Sequence, residues 1–163
     1  AVNLDVIIRI CSSCPHLKYI SLYDYVLDMP GLTQLAPLLG ALRLEWLRLR
    51  KVGMKQNYAP IICRIIQQQH KSLDWLSLSR NALTGDFMET VRGALCQCRR
   101  LEELYLDDDS LASGALPVLV SLLLSLPKLS KLKMRRNNFQ DPDSEARLFA
   151  AAAECCASLK ELV

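Results

Sequence analysis

Apolar residues along the chain gather into a short alternating cluster that returns five times. Leu17-x-x-Ile20-x-Leu22, Leu44-x-x-Leu47-x-Leu49, Leu73-x-x-Leu76-x-Leu78, Leu101-x-x-Leu104-x-Leu106 and Leu129-x-x-Leu132-x-Met134 share one pattern, and Leu159-x-x-Leu162 begins a sixth copy. Successive leading leucines are 27, 29, 28, 28 and 30 residues apart, a period that marks stacked repeats. Alternation inside each cluster predicts a short strand with one buried face. Between clusters the spacing becomes helical: Phe87, Val91, Leu95 and Cys98 step by four, four and three, and similar stripes run through residues 61–66 and 116–126. Pro60 and Pro117 suit first-turn positions, while Asp86 and the run Asp143, Ser144, Glu145 place acidic or capping groups at helix starts. Each unit therefore reads strand, turn, helix, return. Residues 1–16, with Leu4, Ile7, Ile8 and Cys11 apolar, read as the helix of a unit whose strand is missing.

Just past the strand comes a site that holds Asn81, Asp109 and Asn137 in the last three full units. These side chains satisfy backbone groups where a chain turns. Tyr25 and Val52 stand there in the first two units, which predicts irregular turns.

The strand, turn and helix signals combine into LxxLxLxxNxL, complete from Leu73 to Leu83 and present with substitutions from Leu101 to Leu111 and Leu129 to Phe139. In this the chain resembles the ribonuclease-inhibitor-like class of leucine-rich repeats, which includes ribonuclease inhibitor, the sensing regions of NOD-like receptors and the PRAME-like proteins. The resemblance implies an α/β solenoid, a horseshoe of about five and a half repeats, with a parallel sheet on the concave face and helices on the convex face. One domain, residues 1–163, is expected, with repeats starting at 17, 44, 73, 101 and 129 and a partial one at 159. Both ends read as cut, so either a slice of a longer array or a chain whose two ends dock onto something else is expected, with self-association through uncapped ends. Two settings follow from the resemblance: substrate recognition in a ubiquitin ligase, or sensing in an innate-immune receptor.

Alternation also lists the concave face by column. Between the first and second apolar positions stand Tyr19, Trp46, Trp75, Glu103 and Lys131; the next column is Ser21, Arg48, Ser77, Tyr105, Lys133, and the third Tyr23, Arg50, Ser79, Asp107, Arg135. Large aromatics side by side on a solvent face favour an interface, because Tyr and Trp are the types most enriched at binding hot spots. Charge falls in blocks: basic at Arg48, Arg50, Lys51 and Arg80, acidic at Glu103, Asp107, Asp108 and Asp109, basic again at Lys131, Lys133, Arg135 and Arg136. Such blocks set register and exclude wrong partners. The expected contact set is Tyr19, Trp46, Trp75 and Tyr105 as anchors, with Arg48, Arg50, Glu103, Asp107, Asp108, Lys131, Lys133 and Arg135 supplying polarity. The structural alternative for the tryptophans is cover by a neighbouring domain or by long charged side chains.

Composition narrows the function. With 20 Lys and Arg against 17 Asp and Glu, the chain is too balanced for a general polyanion binder. Its most apolar run, residues 115–126, contains Pro117 and falls short of the roughly 20 residues of a membrane span. Seven cysteines, an odd number, do not make a complete disulfide framework. Cys14, Cys98 and Cys156 lie three residues before a leading leucine, a place held elsewhere by Ala41, His70 and Leu126, and it reads as a small buried slot. Reduced thiols place the chain inside the cell, in cytoplasm or nucleus.

Chemistry is weakly signalled. Cys11 and Cys14 have the spacing of a zinc or redox half-site without a second half, and vicinal Cys155 and Cys156 belong to the same packing slot. Asp107, Asp108 and Asp109 lack the glycine and distal glutamate of a calcium loop. No catalytic constellation, phosphate loop, cofactor or metal site is expected, and the chain reads as a non-enzymatic protein-binding module. An architectural spacer and a single-stranded nucleic-acid binder remain as alternatives; the acidic block disfavours the second.

Overall fold

Each leucine cluster forms a strand, and the strands lie beside one another in chain order. The computed structural model describes residues 3–139 and, beyond them, 143, 146–148, 150, 154 and 157–163. In these residues the elements are α1 (Leu4–Ser13), β1 (Tyr19–Tyr23), α2 (Met29–Ala41), β2 (Trp46–Arg50), α3 (Ala59–Gln68), β3 (Trp75–Ser77), α4 (Gly85–Gln97), β4 (Glu103–Tyr105), α5 (Leu116–Ser125), β5 (Lys131–Lys133) and β6 (Glu161–Leu162). Single 3₁₀ turns at Gln56–Tyr58 and Ser113–Ala115 lead into α3 and α5. All six strands pair in parallel, from β1 to β6. The expected Ser144 and Glu145 helix start and the vicinal Cys155 and Cys156 lie outside the described residues.

The inward alternation positions are buried: Ile20 and Leu22, Leu47 and Leu49, Leu76 and Leu78, Leu104 and Leu106, Leu132 and Met134. They meet helix stripes such as Ile62, Ile65 and Ile66 of α3 and Phe87, Met88, Val91 and Leu95 of α4. A fully buried leucine contributes about 2 kcal/mol of transfer free energy, so a unit that stacks its three leucines under its own helix is held along its whole length. Successive helices pack on one another. The opposite face of the sheet carries no helix, and apart from the buried Ser77 and Ser79 its side chains remain half-buried or exposed.

The turns after the strands close by a side-chain ladder. Asn81, buried, accepts from Val52 N at 2.9 Å and donates through Nδ2 to Leu49 O at 2.7 Å and Leu78 O at 2.6 Å. Asn137 repeats this, accepting from Leu111 N and donating to Leu106 O and Met134 O. Asp109 keeps the acceptor half, taking Asn81 N at 2.8 Å and Leu83 N at 3.2 Å, but its Oδ2 is buried with no hydrogen-bond partner. Two residues past the last apolar strand position, Asp24, Lys51, Arg80, Asp108 and Arg136 all adopt positive φ, between 53° and 63°. A left-handed residue at this place in every unit turns the chain out of the sheet.

The expected cysteine slot needs correction. The buried column is the helix C-cap, occupied by Leu42, Gln69, Cys98 and Leu126. Unit lengths vary, so counting back three residues from a leucine misses it at Ala41, which is exposed, and His70, which is half-buried. Cys14 is the C-cap of α1, yet it too is exposed. Gln69 uses the slot as a polar bracket: Nε2 donates to Leu39 O at 2.8 Å and Oε1 accepts from Leu44 N at 2.9 Å, tying the end of α2 to the approach of β2.

Candidate protein-recognition face

Register brings the first column together as expected: Tyr19 opposite Trp46, Trp46 opposite Trp75, Trp75 opposite Glu103, Glu103 opposite Lys131. The aromatic stack, however, turns off this column. Trp46 lies on Trp75 with ring centroids 4.3 Å apart and planes 23° apart, and Trp75 then meets Tyr105 of the second column at 4.8 Å and 36°. Glu103 fills the place where a fourth ring would stand. Its carboxylate accepts from Trp75 Nε1 at 3.1 Å and from the Tyr105 hydroxyl. Tyr19 is 63% exposed, and its hydroxyl donates to Glu45 instead.

Around the stack the charges are partly paired. Lys131 Nζ lies 3.7 Å from Glu103 and 3.4 Å from Glu161, and Lys133 Nζ lies 2.8 Å from Glu161 while covering the Tyr105 ring at 5.8 Å. Burial first, then the bond to Glu103, pushes the Tyr105 hydroxyl above its ordinary pKa. The Lys133 hydrogen bond is the main cause holding the Glu161 carboxyl below its ordinary value. Glu161 was not among the expected contact residues, although extending the first column to the sixth copy points to it.

Beside the stack the face is hollowed. Ser77 and Ser79 stand, buried, between Arg48 and Arg50 on one side and Tyr105 and Asp107 on the other. The resulting cavity, about 310 Å³, is also lined by Trp46, Trp75, Lys133 and Arg135. Ser79 Oγ accepts from Asp107 N at 3.0 Å, and Asp107 Oδ1 accepts from Arg135 N at 2.8 Å. The Arg48 and Arg50 guanidiniums lie 4.9 Å and 5.4 Å from the centre of the Tyr23 ring. Arg50 Nε is buried without a hydrogen-bond partner.

The structure thus gathers Trp46, Trp75, Glu103, Tyr105, Lys131 and Lys133 into one cluster and sets Arg48, Arg50, Asp107 and Arg135 around the adjoining hollow. Tyr19 stands clear of the stack. Asp108 lies on the rim, in the left-handed column, between Arg80 at 3.1 Å and Arg136 at 3.2 Å; burial raises its carboxyl, but these bonds outweigh it and the net direction is down. Asp109, grouped with the acidic surface block on sequence, is inside the turn. A charged ledge at the opposite strand ends holds Lys18, paired with Glu45 at 2.6 Å, and Arg100, paired with Asp74 at 3.0 Å.

Among the described residues no group of three His, Cys, Asp or Glu side chains is placed to hold a metal. Burial pushes the Cys98 thiol up to about 12 and raises that of Cys11, so both are protonated at neutral pH and poor nucleophiles. No described helix is long and apolar enough to cross a membrane.

No protein-family model matches the chain. A curated Caenorhabditis elegans protein, protein phosphatase 1 regulatory subunit 37 homolog, is 27% identical over 143 residues, covering 86% of this chain. The match spans 15% of that relative's length. Among solved structures, the C-terminal domain of C. elegans tropomodulin aligns with a TM-score of 0.74 at 13% identity, covering 93% of this chain and 92% of that one. Leiomodin-1 actin-binding site 2 aligns at 0.61 and 11% identity, covering 99% and 79%. With these neighbours the fold is leucine-rich-repeat-like.

Proposed function

We propose that the chain is a non-enzymatic recognition module that binds a partner protein on the helix-free face of its sheet. The observation that carries this is the stack of Trp46, Trp75 and Tyr105 beside a polar hollow, on a face that no element of the described chain covers. Rigid aromatics that are already ordered lose little entropy on binding and offer large contact areas. Binding or regulatory names among the relatives support the same role: a phosphatase regulatory subunit at the level of sequence, an actin-binding site at the level of fold. The first favours a regulatory binding role over the ubiquitin-ligase and innate-immune settings implied by the repeat resemblance. In this proposal the units build a ribonuclease-inhibitor-like arc, the binding face is its concave side, and the protein works inside the cell.

Affinity capture from cell lysate tests it, comparing the wild-type chain with a Trp46→Ala, Trp75→Ala double variant whose fold is checked by circular dichroism. Loss of specific partners from the folded variant is the expected result. An unchanged partner list from a folded variant contradicts the proposal and favours an architectural role.

A further inference from the structure

We propose that the hollow over Ser77 and Ser79 receives an acidic side chain from an extended segment of the partner protein, with Arg48 and Arg50 as its counter-charges. This rests on the assignment of the sheet face as a protein-recognition surface and names the chemistry of what it recognises.

Shape is the first ground. Serine at two successive face positions of one unit, flanked by arginines on the neighbouring strand and by Tyr105 and Asp107 on the other, leaves a recess for one side chain of moderate length. Trp75 forms its apolar end, against which the methylenes of a glutamate pack.

Charge is the second. The lining holds Arg48, Arg50, Lys133 and Arg135 against a single carboxylate, Asp107. Lys133 is already paired with Glu161, and Asp107 is tied by one oxygen to the Arg135 backbone. Arg48 and Arg50 make no ion pair among the described residues.

Preorganisation is the third. Both guanidiniums are already held against the Tyr23 ring, so little rotamer freedom is left to lose when an anion arrives. Arg50 Nε is buried and makes no hydrogen bond within the chain, so the guanidinium is not committed through that atom when a carboxylate arrives to take its charge-assisted bonds. Asp107 in the hollow and Glu103 and Glu161 on the same sheet interrupt the positive surface, which suits a single carboxylate and opposes a continuous phosphate backbone.

Selection of a displayed random-peptide library on the 163-residue chain tests this, with counter-screens against an Arg48→Gln, Arg50→Gln variant and the Trp46→Ala, Trp75→Ala variant, all matched to wild type by thermal melt. A charge-keeping Arg48→Lys, Arg50→Lys variant covers the case in which the glutamine pair fails to fold. The expected result is enrichment of Asp and Glu at one position of an apolar motif, and about tenfold or greater loss of affinity in the glutamine variant, with partial retention in the lysine variant. Peptides that lack acidic enrichment but still need the tryptophans overturn the carboxylate assignment while leaving the recognition face standing. Peptides indifferent to both pairs of substitutions, or none at all, overturn both. A single-stranded oligothymidine that binds the same arginines more tightly than any selected peptide, with a steep salt dependence, replaces the acidic segment by nucleic acid and overturns the proposal as well.

Discussion

Asp109 shows how one atom alters a turn. Where Asn81 and Asn137 place an Nδ2 that donates to three and two carbonyls respectively, Asp109 places a buried oxygen that donates only when protonated. Burial is the main cause that raises its carboxyl to about 7, against the pull of the Asn81 and Leu83 amides. In the unfolded chain the same carboxyl titrates near the usual value of about 4. The folded state therefore holds the extra proton between those values, and the stability it contributes is complete below about pH 4 and lost as pH rises through about 7. Asp109→Asn removes that dependence and restores the missing donor. Its advantage over wild type in urea unfolding is expected to grow by on the order of 4 kcal/mol between about pH 4 and pH 8; a difference that stays constant with pH contradicts the assignment. Sequence marked this position as a turn site because Asn and Asp alternate there. It could not show that the second oxygen is orphaned, since that depends on which carbonyls the neighbouring units present.

At the scale of elements, strands, most helices and the Asn and Asp turn site were legible, and the backbone geometry of the turns was not. Leu-x-x-Leu-x-Leu predicts each strand because the two-residue period has one buried face, and Pro60 and Pro117 fall in the first turns of α3 and α5 as expected. The left-handed column was hidden, because Asp24, Lys51, Arg80, Asp108 and Arg136 are not glycine and carry no type preference that reveals a positive φ. A second left-handed place follows the turn site, held by Gly53 in one unit and by Ala82, at φ 55°, in the next. A Cβ on Gly53 would meet nothing within 4 Å, so the two positions differ in backbone strain alone. Ala82→Gly is expected to stabilise and Gly53→Ala to destabilise, each by about 1 kcal/mol in chemical denaturation. Equal effects of the same sign contradict a shared turn geometry. The cysteine slot failed for a related reason: units of unequal length move the helix end relative to the leucine from which it was counted.

For the whole molecule, column order was readable because parallel strands in sequence order carry register directly from repeat to repeat. That Trp46, Trp75 and Glu103 are neighbours follows from the period. That Tyr105 rather than Tyr19 completes the stack does not, since ring tilt and the hydrogen bonds to Glu103 decide it. The same two tryptophans are the chain's only ones, so intrinsic fluorescence reports on the proposed face without a label. The most direct test of the account is a titration of the chain with a partner recovered by capture or selection, read by tryptophan emission and acrylamide quenching. Recognition on the sheet face predicts a blue-shifted emission and a marked fall in quenching as the partner saturates. Emission and quenching that remain those of the free chain at full saturation would place binding elsewhere and contradict the account.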